Sequence, residues 1–160
     1  MKKNYILIGA VAIIIIVLVV VLATRKTTVK TNNANITVSQ GTNTVTVNTN
    51  AGSFQAGQKV SLPSDFPSDV YLTEGTLQSA LKIDQDNSFT VNLQSDKTVA
   101  EVKAEYEEQL PADGWTITST TELPVGTSVV ADKGNRNTSV IISDSSGTTT
   151  VSVTTSAATD

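Results

Sequence analysis

Three stretches of this chain hold residue types at spacings that could do chemistry. Asp84-Gln85-Asp86-Asn87-Ser88 opens like a calcium loop, with oxygen donors at alternate positions. An EF-hand loop needs Gly at its sixth place and a bidentate Glu at its twelfth. Those places hold Phe89 and Ser95, so the stretch reads as a polar turn. Glu101, Glu105 and Glu108 cluster as a cation site or an acid pair would. Their spacing lays them along one helical stripe, which reads as a solvated face. Leu62-Pro63-Ser64-Asp65-Phe66-Pro67-Ser68-Asp69-Val70-Tyr71-Leu72 has the look of a proline-rich ligand for a partner's groove. The alternative is an extended strap closing one end of the core. It is favoured because Leu62, Phe66, Val70 and Leu72 want burial, and each Pro pushes the residue before it to extended geometry.

The reactive residues that are missing weigh as much. The chain has no His and no Cys. That removes the commonest general base, the Ser-His triad, thiolate nucleophiles, disulfides and Cys-based metal sites. Asp, Glu, Lys, Ser or Tyr could still serve an enzyme, but no spacing marks them out. No catalytic, cofactor-binding or metal-ligating residue is assigned, and the chain is read as a non-enzyme without cofactor.

The strongest positional signal is Ile6–Ala23, eighteen residues without a charge or a strongly polar side chain. About 20 helical residues cross a bilayer core, and in lipid a helix satisfies its own backbone, so an Ile- and Val-rich run can be helical there. Tyr5–Ala23 is expected to form one continuous membrane helix, with residues 6–23 as the membrane contact. The run exceeds the ~7–15 apolar residues of a cleaved leader, and Arg25-Lys26 come directly after it, so retention is expected over cleavage after Ala23. With no Cys a lipoprotein anchor is excluded. Flanking charge is nearly even, with Lys2 and Lys3 before the run and Arg25, Lys26 and Lys30 after it, so it does not set orientation. The Thr-, Ser- and Asn-rich, Lys-poor remainder suits the side of the membrane away from the cytoplasm.

Five of the 11 basic residues precede position 31, and none of the 15 acidic ones does; residues 31–160 therefore hold 6 basic against 15 acidic residues, a net −9. Such a surface lacks the basic footprint that nucleic acid requires. No nucleic-acid partner is expected, and a protein or envelope-polymer partner is left unassigned.

Periodicity predicts the elements. Residues 27–57 read as a polar stalk. Within it, Ile36 and Val38, a turn at Gln40–Asn43, then Val45 and Val47 give a weak hairpin signal. That hairpin is an isolated ribbon, part of the stalk, or a strand pair added to the main sheet. Asn48–Gln58 reads as a connection. Leu77–Ile83 and Phe89–Leu93 form a hairpin. Thr98-Val99-Ala100-Glu101 has capping-box spacing, and Val99, Val102, Tyr106 and Leu110 fall on one helical face. Lys103, Glu105, Glu107 and Glu108 are expected in water. Pro111 is expected to cut the helix short and Gly114 to end it. Strands are predicted from Trp115-Ile117, around Val129-Ala131, over Arg136–Ser143, and at Val151-Val153. The expected class is α+β: a transmembrane helix, then an antiparallel sheet with one amphipathic helix on one face. The expected divisions are an anchor at 1–26, the stalk at 27–57, the α+β domain at 58–155 and a polar tail at 156–160. The few aromatic residues, one Trp, three Tyr and three Phe, suit core use over a glycan platform.

The layout resembles that of small membrane- or lipid-anchored bacterial envelope proteins. The resemblance rests on Leu62-Pro63-x-Asp65-Phe66-Pro67-x-Asp69-Val70, Tyr106-x3-Leu110-x3-Gly114-Trp115, Lys133-Gly134-Asn135-Arg136 and Gly147-Thr148-Thr149. It covers roughly residues 58–155 and departs at Thr73-Glu74-Gly75 and at Pro111. It implies layout and envelope location, with no activity or site residue. The function expected is a structural or interaction domain outside the membrane, the alternative a small binding or sensor module for a peptide, glycan or envelope polymer. A pilin-like filament subunit would carry an acid near its apolar helix, and residues 1–30 hold none.

Overall fold

The computed structural model describes residues 28–31, 34–39 and 43–156. The anchor expected at residues 6–23 lies outside them. Among the described residues no helix is long and apolar enough to cross a membrane.

The described residues form ten strands and one helix: β1 (Thr28–Thr31), β2 (Ala34–Ser39), β3 (Thr44–Thr49), β4 (Gly52–Gly57), β5 (Thr76–Ile83), β6 (Ser88–Ser95), α1 (Val99–Ala112), β7 (Thr116–Leu123), β8 (Gly126–Lys133), β9 (Arg136–Ser145) and β10 (Thr148–Ser156). They form one antiparallel sheet in the order β1-β2-β3-β4-β5-β6-β10-β9-β8-β7. The class is α+β, with the helix on β7, β8 and β9. The helix connection carries the chain from the end of β6 to β7 at the far edge. The β7–β10 meander then fills the gap, and β10 closes against β6.

The helix forms where the capping box predicts. Thr98 Oγ1 accepts from Glu101 N–H, and the Glu101 carboxylate accepts from Thr98 N–H at 2.8 Å. That backbone bond, together with the Thr98 hydroxyl, holds the Glu101 carboxyl below its ordinary value. Val102, Tyr106 and Leu110 are fully buried, as their spacing requires. Thr98→Ala should cost about 1 kcal/mol, the usual value of an N-cap. Urea unfolding of wild type and variant checks this; a loss below about 0.3 kcal/mol would mean that tertiary packing alone sets this helix end.

The helix does not stop before Pro111 but runs to Ala112. In the last turn a Pro forfeits only one backbone bond, and the end is closed otherwise. Asp113 N–H donates to Gln109 O, Gly114 N–H to Pro111 O, and Trp115 N–H to Leu110 O at 2.9 Å. Gly114, at φ +83, supplies the left-handed step.

Where an expected stalk was placed, residues 28–31, 34–39, 44–49 and 52–57 are strands. The expected hairpin is present as β2 and β3, and it continues into the main sheet through β4. β4 falls inside the predicted connection. Its bounding glycines, Gly52 at φ +144 and Gly57 at φ +134, look like loop residues. A Cβ on either would sit 2.0 Å from a carbonyl oxygen of the neighbouring strand, so only Gly allows the approach. β10 keeps Thr155 buried and reaches Ser156, one residue past the expected domain end; residues 157–160 lie outside the described ones.

Two layers cover the helix side of the sheet. α1 lies over β7–β9. The Leu62–Leu72 segment reaches the same core through Val70, Phe66 and Leu72, and Phe66 meets Phe89 of β6 edge-on at 5.7 Å. This confirms the closing role but corrects the shape. The segment is two consecutive turns, Pro63–Phe66 and Pro67–Val70, each closed by a backbone bond back to its Pro carbonyl. Each Pro stands at the first position of its turn, ahead of the Ser-Asp pair that fills the two central positions, residues that favour turns. Leu62 is left exposed. Toward β3 the apolar residues change sides. Ala80 opposes Val91 on the helix side, Leu81 is its neighbour on the other face, and Phe54 and then Val47 come after Leu81 in register. Val47, Val45 and Phe54 make a separate small cluster there.

Candidate functional site

The polar residues that the fold gathers lie where the two-turn segment meets the helix and sheet. The first group centres on Asp69, the third residue of the second Pro-Ser-Asp turn. Its carboxylate takes both Arg136 amino groups, at 2.8 and 3.0 Å, and Lys133 Nζ at 2.6 Å. Its carbonyl oxygen accepts the Trp115 indole N–H at 2.7 Å. The β8–β9 turn Gly134-Asn135 sets Lys133 and Arg136 side by side, as a cross-strand pair. Arg136 stacks on the Trp115 ring at 4.8 Å and donates Nε to Ser156 O; Lys133 donates to Asp113 O at 2.7 Å. The segment, β8 and β9 are thus tied at one carboxylate, and Trp115 is tied to the same residue's carbonyl. The Arg136 guanidinium, with Lys133, outweighs burial and holds the Asp69 carboxyl at about 2.

The second group centres on Glu105. Its carboxylate accepts from Thr73 Oγ1 at 2.6 Å, Tyr71 OH at 3.2 Å and Lys97 Nζ. Burial pushes this carboxyl up, but Lys97, Thr73 and Tyr71 outweigh it, and the net shift is downward. Tyr71 meets Tyr106 edge-on at 5.2 Å, and the Tyr106 hydroxyl accepts Thr73 N–H at 3.4 Å. Burial pushes both phenols up, that of Tyr106 well up. Both tyrosines therefore stay protonated across the physiological range.

Each of the two carboxylates accepts three hydrogen bonds from its own chain. Among the described residues no buried side-chain polar atom lacks a partner. Beside the Glu105 group an open depression of about 390 Å³ is lined by Glu74, Gly75, Thr76, Ser95, Asp96 and Lys97, but the Lys97 ammonium is turned to Glu105.

The stretches singled out by spacing take up separate places in the fold. The Asp84–Ser88 segment is the β5–β6 turn, with Asn87 at φ +45 and Asp84 paired to Lys82 at 2.8 Å. No group of three or more acidic side chains among the described residues is placed to hold a metal. The three glutamates separate: Glu101 caps the helix, Glu108 is exposed, and Glu105 turns to the two-turn segment. Glu105 is thus no part of a solvated stripe. Helical spacing gives a residue's angle but not what will cover it, and Tyr71 and Thr73 cover Glu105. Trp115 is 2% exposed, in the core. The roles of Asp69, Lys133 and Arg136 were not legible from spacing. The available signal was the repeated Pro-Ser-Asp and two of only six basic residues after position 30 flanking one short turn.

Residues 77–149 are similar to the START domain-like family. The match runs from β5 to the first residues of β10 and takes in α1. It leaves out the two-turn segment with Asp69 and all of β1–β4. No curated protein and no solved structure matches the chain.

Proposed function

We propose that this chain is a single-pass membrane-tethered envelope protein whose C-terminal domain stands outside the cytoplasm and has a structural or interaction role, not a catalytic one. The supporting observation is the use of its ionisable groups. Asp69 and Glu105, the carboxylates most drawn into the fold, are spent on fastening the two-turn segment. Ile6–Ala23 is the tether, and the acidic remainder of net −9 suits protein or polymer partners over nucleic acid. The test is fractionation of a bacterial host expressing the full chain, with N-terminal sequencing and protease added from outside. The expected result is an intact N-terminus in the membrane fraction and a domain cut only by external protease. A mature terminus at Thr24 would remove the tether, and protection from external protease would reverse the orientation.

A second reading, a small binding module, draws support from the START domain-like match. Against it, the space between helix and sheet is filled: Val102, Tyr106, Leu110, Val129, Val140 and Ile142 are all at 0% exposure. Native mass spectrometry of protein drawn from its own membrane decides between the two. A small molecule retained at unit stoichiometry would put the binding reading first.

A further inference from the structure

We propose that the β7–β8 hairpin tip, Leu123-Pro124-Val125, is a second membrane contact that seats the domain against the bilayer; this rests on the tether reading above.

The tip breaks the pattern of the other turns. Those at Asp84–Asn87, Gly134-Asn135 and Ser146-Gly147 are polar, as solvent-facing hairpin turns are. Here three apolar residues occupy the end of an edge hairpin. Val125 is 64% exposed and Leu123 39%, both among the large apolar residues that the described fold leaves exposed. The tip is nonetheless fixed. Val125 O accepts Asp144 N–H at 3.0 Å, and Leu123 is in register with Gly126. Single exposed apolar residues are ordinary. An apolar triplet pinned in one orientation is a presented surface.

Sheet topology supplies the independent observation. Registers place the β2–β3, β4–β5, β6–α1, β7–β8 and β9–β10 connections at one end of the sheet. β1 pairs antiparallel with β2, Thr28 opposite Thr37 and Thr31 opposite Ala34. The chain therefore comes into β1 from that same end. Only residues 24–27 separate Ala23 from Thr28, so the first strand can stand no more than about 18 Å from the end of the apolar run. The sheet end that holds the tip thus faces the membrane, with β1 and β7 at opposite edges, about 40 Å apart across nine strand spacings. Two contacts at two corners would stop the sheet from swinging on its tether. Burying a Leu and a Val is weak alone, but the tether supplies the high local concentration that makes a weak second contact count. Nearby acids do not call for an anionic surface: Glu122 is paired with Lys103 at 2.7 Å, and Asp144 Oδ1 accepts Gly147 N–H. A zwitterionic bilayer interface fits.

The chain has no Cys, so one introduced thiol is unique. The full chain carrying Val125→Cys is labelled with an environment-sensitive fluorophore and reconstituted in phosphatidylcholine vesicles containing lipid-borne nitroxide quencher. Asp86→Cys, in a turn at the opposite end of the sheet, is the comparison. The expected result is blue-shifted emission and at least twofold quenching at position 125, with none at position 86. Equal, water-like behaviour at both positions in protein that floats with the vesicles overturns the tip contact and leaves the tether reading standing. Failure to float overturns both. A shift at position 125 that grows with protein concentration and ignores the lipid quencher assigns the tip to a second copy, and overturns the proposal.

Discussion

Trp115→Ala should lower the stability of the sheet-and-helix domain by about 3–5 kcal/mol, the usual cost of truncating a buried aromatic residue. The ring is 2% exposed and belongs to the core with Val102, Tyr106 and Leu110. Its indole N–H donates to Asp69 O at 2.7 Å, and Arg136 lies on its face. Truncation thus opens a cavity, strips a carbonyl of its donor and removes the plane on which a guanidinium rests. Small domains hold only ~5–15 kcal/mol in total, so a fall in melting temperature of roughly 10–30 °C is expected. Thermal unfolding followed by circular dichroism checks this. A ligand-platform Trp would give the opposite pattern, a melting point within a degree or two of wild type. That result would withdraw the structural role and move the binding-module reading to first place.

Asp69→Asn should cost about 2–4 kcal/mol at neutral pH, because the Arg136 side chain is only 11% exposed and would lose its counter-charge. The pH dependence identifies the cause. The folded Asp69 carboxyl titrates at about 2, against 3.8 for the free group. A depressed carboxyl contributes stability that is complete above the unfolded value and lost as pH falls through the folded one. The shift corresponds to about 2.5 kcal/mol at most. With 30% of the side chain exposed, screening reduces that to about 1–2 kcal/mol. The gap between wild type and variant should therefore be constant above about pH 5 and narrow between pH 4 and pH 2. Urea unfolding across that range measures it. A gap that stays flat to pH 2 would show that shape, and not charge, fastens the segment.

The two substitutions probe one junction, and it marks the line between what spacing revealed and what it did not. The Thr98–Glu101 capping box, the Val102–Tyr106–Leu110 face and the Leu77–Ile83/Phe89–Leu93 hairpin were legible because each depends on neighbours within a few residues. A hydrogen bond three residues away or a 3.6-residue stripe is written in the local order of the chain. β4 was not legible, since its glycines are loop residues by local rule and strand residues only beside Lys82 and Asn43. Pro111 misled for the same reason: its penalty depends on where the last turn ends, which Trp115 and Leu110 settle.

By itself the sequence determined the α+β class, the helix and its buried face, the alternation of the principal strands, and the lack of His and Cys chemistry. Those properties are sums over local preference and composition, and here the tertiary contacts agree with them. Only the tertiary structure decided that β10 is a central strand, that the apolar residues change faces between β5 and β3, and that Asp69 and Glu105 are fasteners. Asp69 lies 67 residues from Arg136, and Tyr71 lies 34 from Glu105. A charge pair at such separation exists only after β9 has been laid beside β10 and the two turns have been folded over the sheet. One-dimensional spacing carries no record of which carboxylate will then find which cation.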